Sequence, residues 1–423
     1  MRMPQPVPPD EVDLDAVDLT DPRLYSEGDA HSVWRALRRR DPVRWHPVGD
    51  SLGFWSVSRY AEADRVLRDH AYFTSQRGTL LNLLGKDDPA GGRQMAATDP
   101  PRHTRMREPV QRALSVKSVS RHEERVRAEV RRLLAPAATG EPYDFGAAMM
   151  ALPMAVTGTL MGLPQEDWPH LVRLTTMSIA PDDPEYALDA GPEATLGVAH
   201  RELFAYFQDI VTRRREAPGD DLISMLLSMD VGGRALGPGE ILSNCYSLLL
   251  GANVTTPCVP TAAVLELAGT PRLADWADHP ELVMSGVEEA LRWASPAVHF
   301  MRHAIRDVEL AGSRIRSGDA VVVWLASANR DEDAFPDPYA FDVRRRPNRH
   351  IAFGSGAHYC VGHSVARLSL RFLFEELLGN FRDVTLAAEP EHLCSNFVAG
   401  IKHMTITARP KRGAASTLAA PGR

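Results

Sequence analysis

Apolar residues recur every three to four positions along most of the chain, the spacing that places them on one face of an α-helix. Alternating apolar and polar residues, typical of strands, are restricted to 307–324, around glycine turns, and to a short run at 53–58. The pattern predicts a mainly α fold with small β-sheets. The helices are predicted at 30–39, 60–69, 123–134, 168–178, 199–215, 281–293 and 363–378.

The domain organisation follows from what is missing between these elements. No Gly/Ser linker or charge block interrupts the chain between residues 20 and 408, so we expect a single large domain over 21–409. The proline-bearing start, 1–20, is expected to be a flexible N-terminal segment, and the aperiodic end, 410–423, a disordered tail.

An uncharged stretch at 241–265 is long enough to span a bilayer. It contains Asn244, Asn253 and Pro257, which lipid would penalise but which a helix buried in a protein core tolerates. The N-terminus shows no basic stretch followed by an apolar run. We therefore expect neither a signal peptide nor association with a membrane.

Composition and charge narrow the class of protein further. Hydrophobic residues make up 44% and charged residues 24% of the 423 residues, as in an ordinary globular protein. Only four cysteines occur, which predicts a reducing, cytoplasmic location, and the net charge of −7 makes nucleic acid an unsuitable partner. Cys360 has no partner at Cys-x-x-Cys spacing, which excludes a zinc site.

Candidate chemistry is concentrated in residues 353–367, FGSGAHYCVGHSVAR, where Cys360 stands in a glycine-rich loop that runs into a predicted helix. A thiolate ligand of haem iron must be deprotonated, rigidly held and shielded from water. A tight loop whose N–H groups face the sulfur meets these needs. The alternative, an ordinary buried cysteine, is what a lone intracellular cysteine usually is.

The loop resembles the haem-binding loop of the cytochrome P-450 family, Phe-Gly-x-Gly-x-His-x-Cys-x-Gly followed by a helix with Ala-Arg. This resemblance implies the cytochrome P-450 fold, with haem b buried between a central oxygen-site helix and the helix after the loop. The resemblance makes Cys360 the iron ligand. It extends over about residues 29–409, as in soluble bacterial members of the family. The matching positions are Phe353, Gly354, Gly356, His358, Cys360, Gly362, Ala366 and Arg367.

The resemblance also implies partners for the haem propionates. His103 and Arg107 follow Asp-Pro-Pro and lie four residues apart, hence on one helix face. The alternative for this pair is a solvated basic start of a helix. Arg302 and His358 occupy the family's other propionate-binding positions. Two buried carboxylates need such partners.

Glu289 and Arg292 match the family's Glu-x-x-Arg, one helical turn apart. Such a pair alone is a weak signal, because exposed pairs of this kind are common. Arg345 matches the third member of the family's trio. By resemblance, the three have a structural role around the haem and are not catalytic.

Residues 250–257, LGANVTTP, resemble the family's oxygen-activation motif. This assigns the catalytic positions to Thr255, Asn253 and the small Ala252. Pro257 cannot donate an N–H to the Asn253 carbonyl, so the helix is predicted to open here. The Thr255 hydroxyl could instead bond the Gly251 carbonyl, a role that it can combine with catalysis.

Val254 departs from the family, where most members have a carboxylate that helps to deliver protons. Three possibilities remain open. Protons come through Asn253, Thr255 and water; the substrate supplies a polar group; or the reaction is a less usual one, such as coupling, desaturation or nitrogen oxidation.

Five residues are assigned to the substrate pocket by the same resemblance: Leu248, Val298, His299, Phe300 and Phe397. Most are apolar, which predicts a largely hydrophobic substrate of moderate size, with His299 or Asn253 fixing a polar group. The acidic, proline-bearing stretch 180–194 is either a mobile lid over this pocket or a surface loop.

Taken together, the resemblance implies a monomeric haem-thiolate monooxygenase that uses O2 and two electrons to hydroxylate an apolar small molecule, in bacterial natural-product biosynthesis. Ferredoxin and ferredoxin reductase are the implied electron donors. A carrier protein bearing a tethered substrate is a different partner, and a haem sensor without turnover is an alternative that only Val254 favours. The donor is expected to dock on arginines 102, 105, 344, 346, 349 and 371.

Overall fold

Helices provide most of the regular structure over residues 8–419, the part of the chain that this computed structural model describes. The helices are α1 (Arg23–Ser26), α2 (Ala30–Arg40), α3 (Tyr60–Arg68), α4 (Arg102–Ala113), α5 (Val116–Ser120), α6 (Glu123–Leu134), α7 (Phe145–Leu160), α8 (Trp168–Ile179), α9 (Pro192–Glu216), α10 (Leu222–Ser228), α11 (Pro238–Asn253), α12 (Cys258–Leu267), α13 (Arg272–Ala277), α14 (Val283–Ala294), α15 (Leu325–Ala328), α16 (His363–Asn380) and α17 (Ala414–Ala419).

Short strands form four small sheets among these helices. The largest has the order β1-β2-β8-β5-β3, and a three-stranded sheet has the order β4-β12-β9, while β6 with β7 and β10 with β11 form two-stranded sheets. The strands are β1 (Val43–Val48), β2 (Leu52–Val57), β3 (Phe73–Thr74), β4 (Tyr143–Asp144), β5 (His299–Ala304), β6 (Val308–Leu310), β7 (Ser313–Ile315), β8 (Ala320–Trp324), β9 (Phe381–Leu386), β10 (Glu391–His392), β11 (Ile401–His403) and β12 (Thr405–Pro410).

The mainly α architecture with small sheets is confirmed, and every helix predicted from periodicity is present. The largest difference in a boundary is at α9, which begins at Pro192 rather than 199. Its first turns contain small and polar residues without apolar periodicity, so the sequence pattern does not detect them. Proline at the first helical position costs no hydrogen bond, because that N–H has no partner within a helix.

Two apolar clusters hold the helices together. One joins α6, α7, α12, α14 and α16 through buried side chains such as Leu152, Leu291 and Phe372. The other joins α4 with the helices from α7 to α11, and it includes Met106 and Phe207. These clusters fix α11 and α16, the two helices that carry the candidate chemistry.

The long apolar stretch is divided in the structure. Helix α11 ends at Asn253, a turn occupies 254–257, and α12 begins at Cys258. Within the described residues, Pro238–Leu267 is the stretch with the length and composition of a membrane span, and 56% of its most apolar window is buried inside the protein. Such burial is typical of a helix in a protein core, which is the interpretation that its polar residues favoured.

Single apolar side chains anchor parts of both chain ends. Leu14 and Leu19 are buried in a cluster with Trp34 and Trp324. At the other end, Leu418 of α17 packs on the cluster around α6 and α16. Most other residues of 8–20 and 410–418 are exposed or half-buried, and the flexibility expected of these ends stays a prediction. The rest of the predicted flexible ends, 1–7 and 420–423, lies outside the described residues.

Candidate haem and oxygen site

The cysteine loop is shaped by its backbone. The Cys360 N–H donates to the Phe353 carbonyl at 2.8 Å, and the Cys360 carbonyl accepts from the His363 N–H, which opens α16, at 3.3 Å. Gly354 (φ 72°) and Gly356 (φ 69°) adopt the left-handed conformation. A Cβ on Gly356 would lie 2.7 Å from the Cα of Arg68, so only glycine allows the loop to pack on α3.

The electrostatic environment of the Cys360 thiol has two opposing parts. Burial raises its pKa, while a hydrogen bond from the Gly362 N–H and the positive charges of Arg107 and Arg367 lower it. On balance, the pKa of the free thiol lies above its ordinary value. A bound metal ion deprotonates a coordinating thiol outright. The loop therefore provides the N–H group and the cations that suit a metal-bound thiolate.

A side-chain network that the sequence analysis missed anchors this loop. Arg367 of α16 makes two hydrogen bonds to Glu288, at 2.6 and 2.9 Å, and its guanidinium lies 4.6 Å from the centre of the Phe353 ring. His350 reaches the same carboxylate at 3.1 Å. Burial would raise the pKa of Glu288, but these hydrogen bonds outweigh it and lower the pKa to about 2. The only sequence signal is the position of Glu288 beside Glu289.

His103, Arg302 and His358 come together from three distant parts of the chain. The His103 and His358 rings lie 4.2 Å apart, and burial, with nearby cations, lowers the pKa of the first to about 4 and of the second to about 2. His103 Nδ1 and His358 Nε2 have no hydrogen-bond partner among the described residues. Both are therefore buried polar atoms that a ligand could satisfy.

Arg302 adds a buried positive charge to this pair. It is 4% exposed, and its hydrogen bond goes to the carbonyl of its own neighbour, Met301, at 2.8 Å. Burial lowers the pKa of Arg302 to about 10, against the opposing effect of Asp99. An unpaired guanidinium in the interior is costly, and a carboxylate would relieve it. The observed cluster therefore fits a ligand with acidic groups, as haem propionates are.

Arg107, also expected to bind a propionate, contacts the cysteine loop. Its Nη2 donates to the Tyr359 carbonyl at 2.5 Å and its Nε to Gln111 at 3.3 Å, so the side chain supports the cysteine loop. Asp99, which the sequence analysis did not single out, bonds Thr74 and accepts from the Ser75 N–H at 3.0 Å. It fixes the start of α4 against the strand that pairs with β5.

Glu289, Arg292 and Arg345 form one buried network. Arg292 makes two hydrogen bonds of 2.8 Å to Glu289, and both side chains have 0% exposure. The Nε of Arg345 lies 3.2 Å from each oxygen of the same carboxylate. The remaining guanidinium N–H groups of both arginines donate to carbonyls of 329–340. The structure thus brings together the trio that the sequence motif suggested.

The turn between α11 and α12 contains Thr255. Its hydroxyl donates to the Gly251 carbonyl at 2.7 Å, the local bond considered from sequence. Gly251 and Thr255 lie one turn apart and share a face, with Ala252 adjacent to Gly251. The helix opens at Pro257, as predicted, because the next backbone bonds are short-range ones from Cys258 to Thr255 and from Val259 to Thr256.

Asn253, the other polar residue predicted to be catalytic, faces the neighbouring helices α7 and α8. It is 2% exposed, and its amide donates to the Met154 sulfur at 3.2 Å and approaches Thr175 Oγ1 at 3.5 Å. Residues two apart on a helix do not face each other, so Asn253 contacts α7 and α8 while Thr255 faces the other way. A proton route through the Asn253 side chain to Thr255 is not supported by this placement.

Val254 is buried in an apolar cluster. Its neighbours include Ile179, Cys258, Leu393 and Val398. A small cavity, with room for about one water molecule, touches Val254 and Lys402. The departure from the family's carboxylate is therefore matched by largely apolar surroundings.

Two of the residues predicted for the substrate pocket are fully buried. Val298 and His299 both have 0% exposure. His299 accepts from the Leu81 N–H at 3.1 Å, and its other ring nitrogen lies 3.1 Å from the Asn396 carbonyl. Both ring nitrogens are thus used, and burial lowers the pKa of His299 to about 4. His299 therefore has no free ring nitrogen. The Asn253 carbonyl oxygen has no hydrogen-bond partner among the described residues, so the expected polar contact rests on Asn253.

The other predicted pocket residues divide into two groups. Phe300 and Phe397 are half-buried and contact each other, with ring centres 6.0 Å apart. Leu250 packs on the Val254 cluster together with Phe397, whereas Leu248 packs on the cluster of α4 and α7–α11. Leu250 is therefore the residue of α11 that shares apolar surroundings with Phe397.

The loop between α8 and α9, part of the predicted lid, is tied to the C-terminal strands. Asp183, whose side chain is 1% exposed, pairs with Lys402 at 2.8 Å and accepts from the Cys394 N–H at 2.9 Å. Glu185 in the same loop accepts from His403 at 3.0 Å. The loop is held at the edge of the Val254 cluster.

Comparisons with known proteins agree with this geometry. The family model "Cytochrome P450" matches residues 274–403. Linalool 8-monooxygenase of Pseudomonas putida is 32% identical over 409 residues, 94% of this chain and 100% of that protein. The chain belongs to the cytochrome P450 family. Its cofactor is a cysteine-ligated haem, and it is a P450 monooxygenase, as its relatives are.

Solved structures extend the likeness to the whole fold. P450 OxyD, involved in the biosynthesis of vancomycin-type antibiotics, is 35% identical with a TM-score of 0.84, covering 94% of this chain and 100% of that one. P450BioI in complex with a fatty-acid-loaded acyl carrier protein is 25% identical with a TM-score of 0.79, covering 90% and 99%. The P450 fold predicted for this chain is confirmed.

Proposed function

We propose that this P450 hydroxylates a largely apolar small molecule in bacterial natural-product biosynthesis. The observation that carries the proposal is the apolar surface formed by Leu250, Phe300 and Phe397 next to the opened turn of α11. No charged side chain belongs to this set, so a hydrophobic substrate is favoured over an ionic one. The relation to OxyD supports the biosynthetic setting.

Each residue has a defined task in this proposal. Cys360 ligates the iron, and His103, Arg302 and His358 hold the propionates. Bound haem supplies the activation of O2 by two electrons. Thr255 turns its hydroxyl from the Gly251 carbonyl to the reacting oxygen, gives up that proton and takes another from water. Gly251 and Ala252 leave space beside it, and Val254 excludes water from the neighbouring cluster.

The electron donor in this proposal is a ferredoxin reduced by its reductase. The six arginines expected to form its docking face are partly neutralised: Arg344 pairs with Asp275 at 2.6 Å, Arg102 with Glu240 at 2.6 Å, and Arg371 with Glu375 at 3.5 Å. Docking would therefore depend on the surplus charge around the cysteine loop, including Arg107, rather than on a uniformly basic face.

A second candidate is oxidation of a substrate tethered to a carrier protein. The similarity to P450BioI, solved with a loaded acyl carrier protein, favours it. The chemistry at Thr255 and Cys360 would be the same, and only the delivery of the substrate would differ. A haem sensor is disfavoured, because Thr255 and the opened turn serve turnover rather than ligand sensing.

The proposal is tested with the purified holoprotein, a ferredoxin, its reductase and NAD(P)H. Acyclic terpenoids, fatty acids and the same acyl groups loaded on a carrier protein are compared for product formed. Hydroxylation of a free apolar compound is the expected result, turnover of the tethered group alone would select the second candidate, and no product from any class would contradict both. The Cys360→His variant should lose product formation and change the absorption spectrum of its reduced carbon monoxide complex from thiolate to imidazole ligation.

A further inference from the structure

A second cavity lies away from the cysteine loop, where α2, α12 and α14 meet the segment that follows α15. Its volume is about 50 Å³. Apolar side chains form most of its wall, while Arg330, His31 and Glu266 are its polar lining residues. None of these residues takes part in the haem site described above.

Arg330 is buried in the wall of this cavity with part of its hydrogen-bonding capacity unused. The residue is 2% exposed. Its Nη2 donates to the Trp293 carbonyl at 2.6 Å, and the guanidinium lies 4.8 Å from the centre of the Trp293 ring. Its Nε and Nη1 have no hydrogen-bond partner among residues 8–419. Two charged N–H groups are therefore unsatisfied in the interior.

His31 supplies a third donor on the opposite wall. It is also 2% exposed, and its Nδ1 has no partner within the described part of the chain. Burial lowers the pKa of His31 well below its ordinary value, so the ring is neutral and one nitrogen carries a proton. With the proton on Nδ1, this ring donates one hydrogen bond.

Charge around the cavity is unbalanced. Glu289, a carboxylate whose charge acts on Arg330, is bound by Arg292 and Arg345. Glu332, two residues further along the chain, is bound by Arg38 at 3.1 Å and Arg35 at 3.4 Å. Burial and then Arg292 lower the pKa of Arg330 to about 9. Arg330 thus carries a buried positive charge that lacks a bound counter-ion.

Glu266 does not supply that counter-ion. Its carboxylate is paired with Arg272 at 2.8 Å, and its side chain is 23% exposed, so its charge is directed to the protein surface. Arg272 also donates to the backbone carbonyl of Glu266 at 2.6 Å, which holds the carboxylate in that position.

We propose that the cavity binds one small monovalent anion of the size of chloride, held by one unpartnered N–H group of the Arg330 guanidinium and by His31 Nδ1. Water could accept the same hydrogen bonds, but it would leave the guanidinium charge unneutralised. The volume has room for a halide ion and accompanying water. The bound anion joins α2 to the segment after α15 and stabilises the fold without taking part in turnover.

The first measurement is direct. Crystals of the holoprotein grown in bromide should show one anomalous scattering peak within hydrogen-bonding distance of Arg330 and His31. Density that refines as water, with no anomalous signal, would overturn the proposal.

The second measurement is the melting temperature of the holoprotein in chloride and in gluconate at equal ionic strength. Chloride should raise it by several degrees, since a ligand that binds only the folded state stabilises it. The His31→Phe and Arg330→Met variants should lose this difference. The control is Arg314→Met, the same change at a side chain that is 78% exposed in the β6–β7 sheet, which should retain it.

Each variant result has a definite meaning. If Arg330→Met does not fold, His31→Phe and the bromide crystals still decide the question. An equal melting temperature of the wild-type protein in both salts, or an unchanged chloride effect in His31→Phe, would show that no anion occupies this cavity.

Discussion

At the scale of single residues, Val254 distinguishes this P450 most clearly from the family motif. A carboxylate at this position would enter an apolar cluster formed by Ile179, Cys258 and Leu393. Burial favours the neutral form of an acid and raises its pKa. The position therefore suits an apolar side chain, and in the proposed function proton delivery uses the Thr255 side of the turn.

The Val254→Asp variant tests this conclusion. Burying a new polar group without a partner should lower the free energy of unfolding by about 1–3 kcal/mol. Urea unfolding of the holoprotein measures the change, and Val254→Asn is the matched variant of similar size that cannot ionise. A variant as stable as the wild type would mean that Lys402, which lines the adjoining cavity, pairs with the new carboxylate.

Removal of the Thr255 hydroxyl should change how electrons are used. In Thr255→Ala we expect less product per NAD(P)H and more hydrogen peroxide, because the proton is no longer delivered at the right place. Thr255→Ser retains the hydroxyl and should keep most of the coupling. Product, NAD(P)H and peroxide are measured together; full coupling in the alanine variant would transfer the role of proton source to the substrate or another residue.

At the scale of elements, the Glu289 network connects α14 to the segment before the cysteine loop. Both side chains of the Glu289–Arg292 pair are inaccessible to solvent, so loss of one partner leaves a buried charge. The expected cost is roughly 3–5 kcal/mol.

The Glu289→Ala and Arg292→Ala variants should therefore give little haem-loaded protein. The measurement is the ratio of haem absorbance to protein after purification. Arg344→Ala serves as a control, since its pair with Asp275 is exposed and worth at most about 1 kcal/mol. A Glu289→Ala variant that keeps its full haem content but loses turnover would contradict the structural role.

The loop between α8 and α9 should open when the ion pair between Asp183 and Lys402 is removed. Lys402→Met leaves Asp183 buried without its cation, so hydrogen exchange in residues 180–191 should become faster while haem content stays the same. Lys411→Met, at a side chain that donates to the Leu378 carbonyl, is the control. Unchanged exchange in Lys402→Met would show that the ion pair does not hold the loop.

The same loop should respond to pH through His403. Its hydrogen bond to Asp144, with further help from Glu185, raises its pKa above the ordinary value. A raised pKa means that the stabilisation is complete below the ordinary value, about 6.5, and is lost as the pH rises through the folded-state pKa. Exchange in 180–191, corrected for its intrinsic pH dependence, should therefore increase above neutral pH in the wild type and not in His403→Gln.

At the scale of the whole molecule, haem binding and folding stability should be strongly linked. His103, Arg302 and His358 place buried basic groups in one region, and the apoprotein has no carboxylate hydrogen-bonded to Arg302 among the described residues. A ligand that binds only the folded state adds about 4 kcal/mol at a thousand times its Kd. The holoprotein should therefore melt well above the apoprotein.

The Arg302→Met variant should reduce the difference in melting temperature between holoprotein and apoprotein, because it should stabilise the apoprotein and destabilise the holoprotein. It removes an unpaired buried charge from the apoprotein and a propionate partner from the holoprotein. Calorimetry of the two forms measures the gap, and Arg314→Met is the exposed control. A gap equal to that of the wild type would show that Arg302 does not hold a propionate.

The sequence alone determined the class of this protein. Helical periodicity identified the main helices, because burial of one face imposes a pattern that is local in the chain. The cysteine loop and the helix break at Pro257 could also be predicted, because glycine conformation and the missing proline N–H act within a few residues. The family itself followed from the resemblance of residues 353–367 to the haem-binding loop of cytochromes P450.

The tertiary structure decided the parts that depend on which side chains meet. It placed Asn253 against Met154 and used both nitrogens of His299 for the backbone of Leu81 and Asn396. It also paired Glu288 with Arg367, 79 positions apart in the sequence. Contacts at such separations follow from packing and from the need to satisfy buried polar groups, which no local pattern encodes.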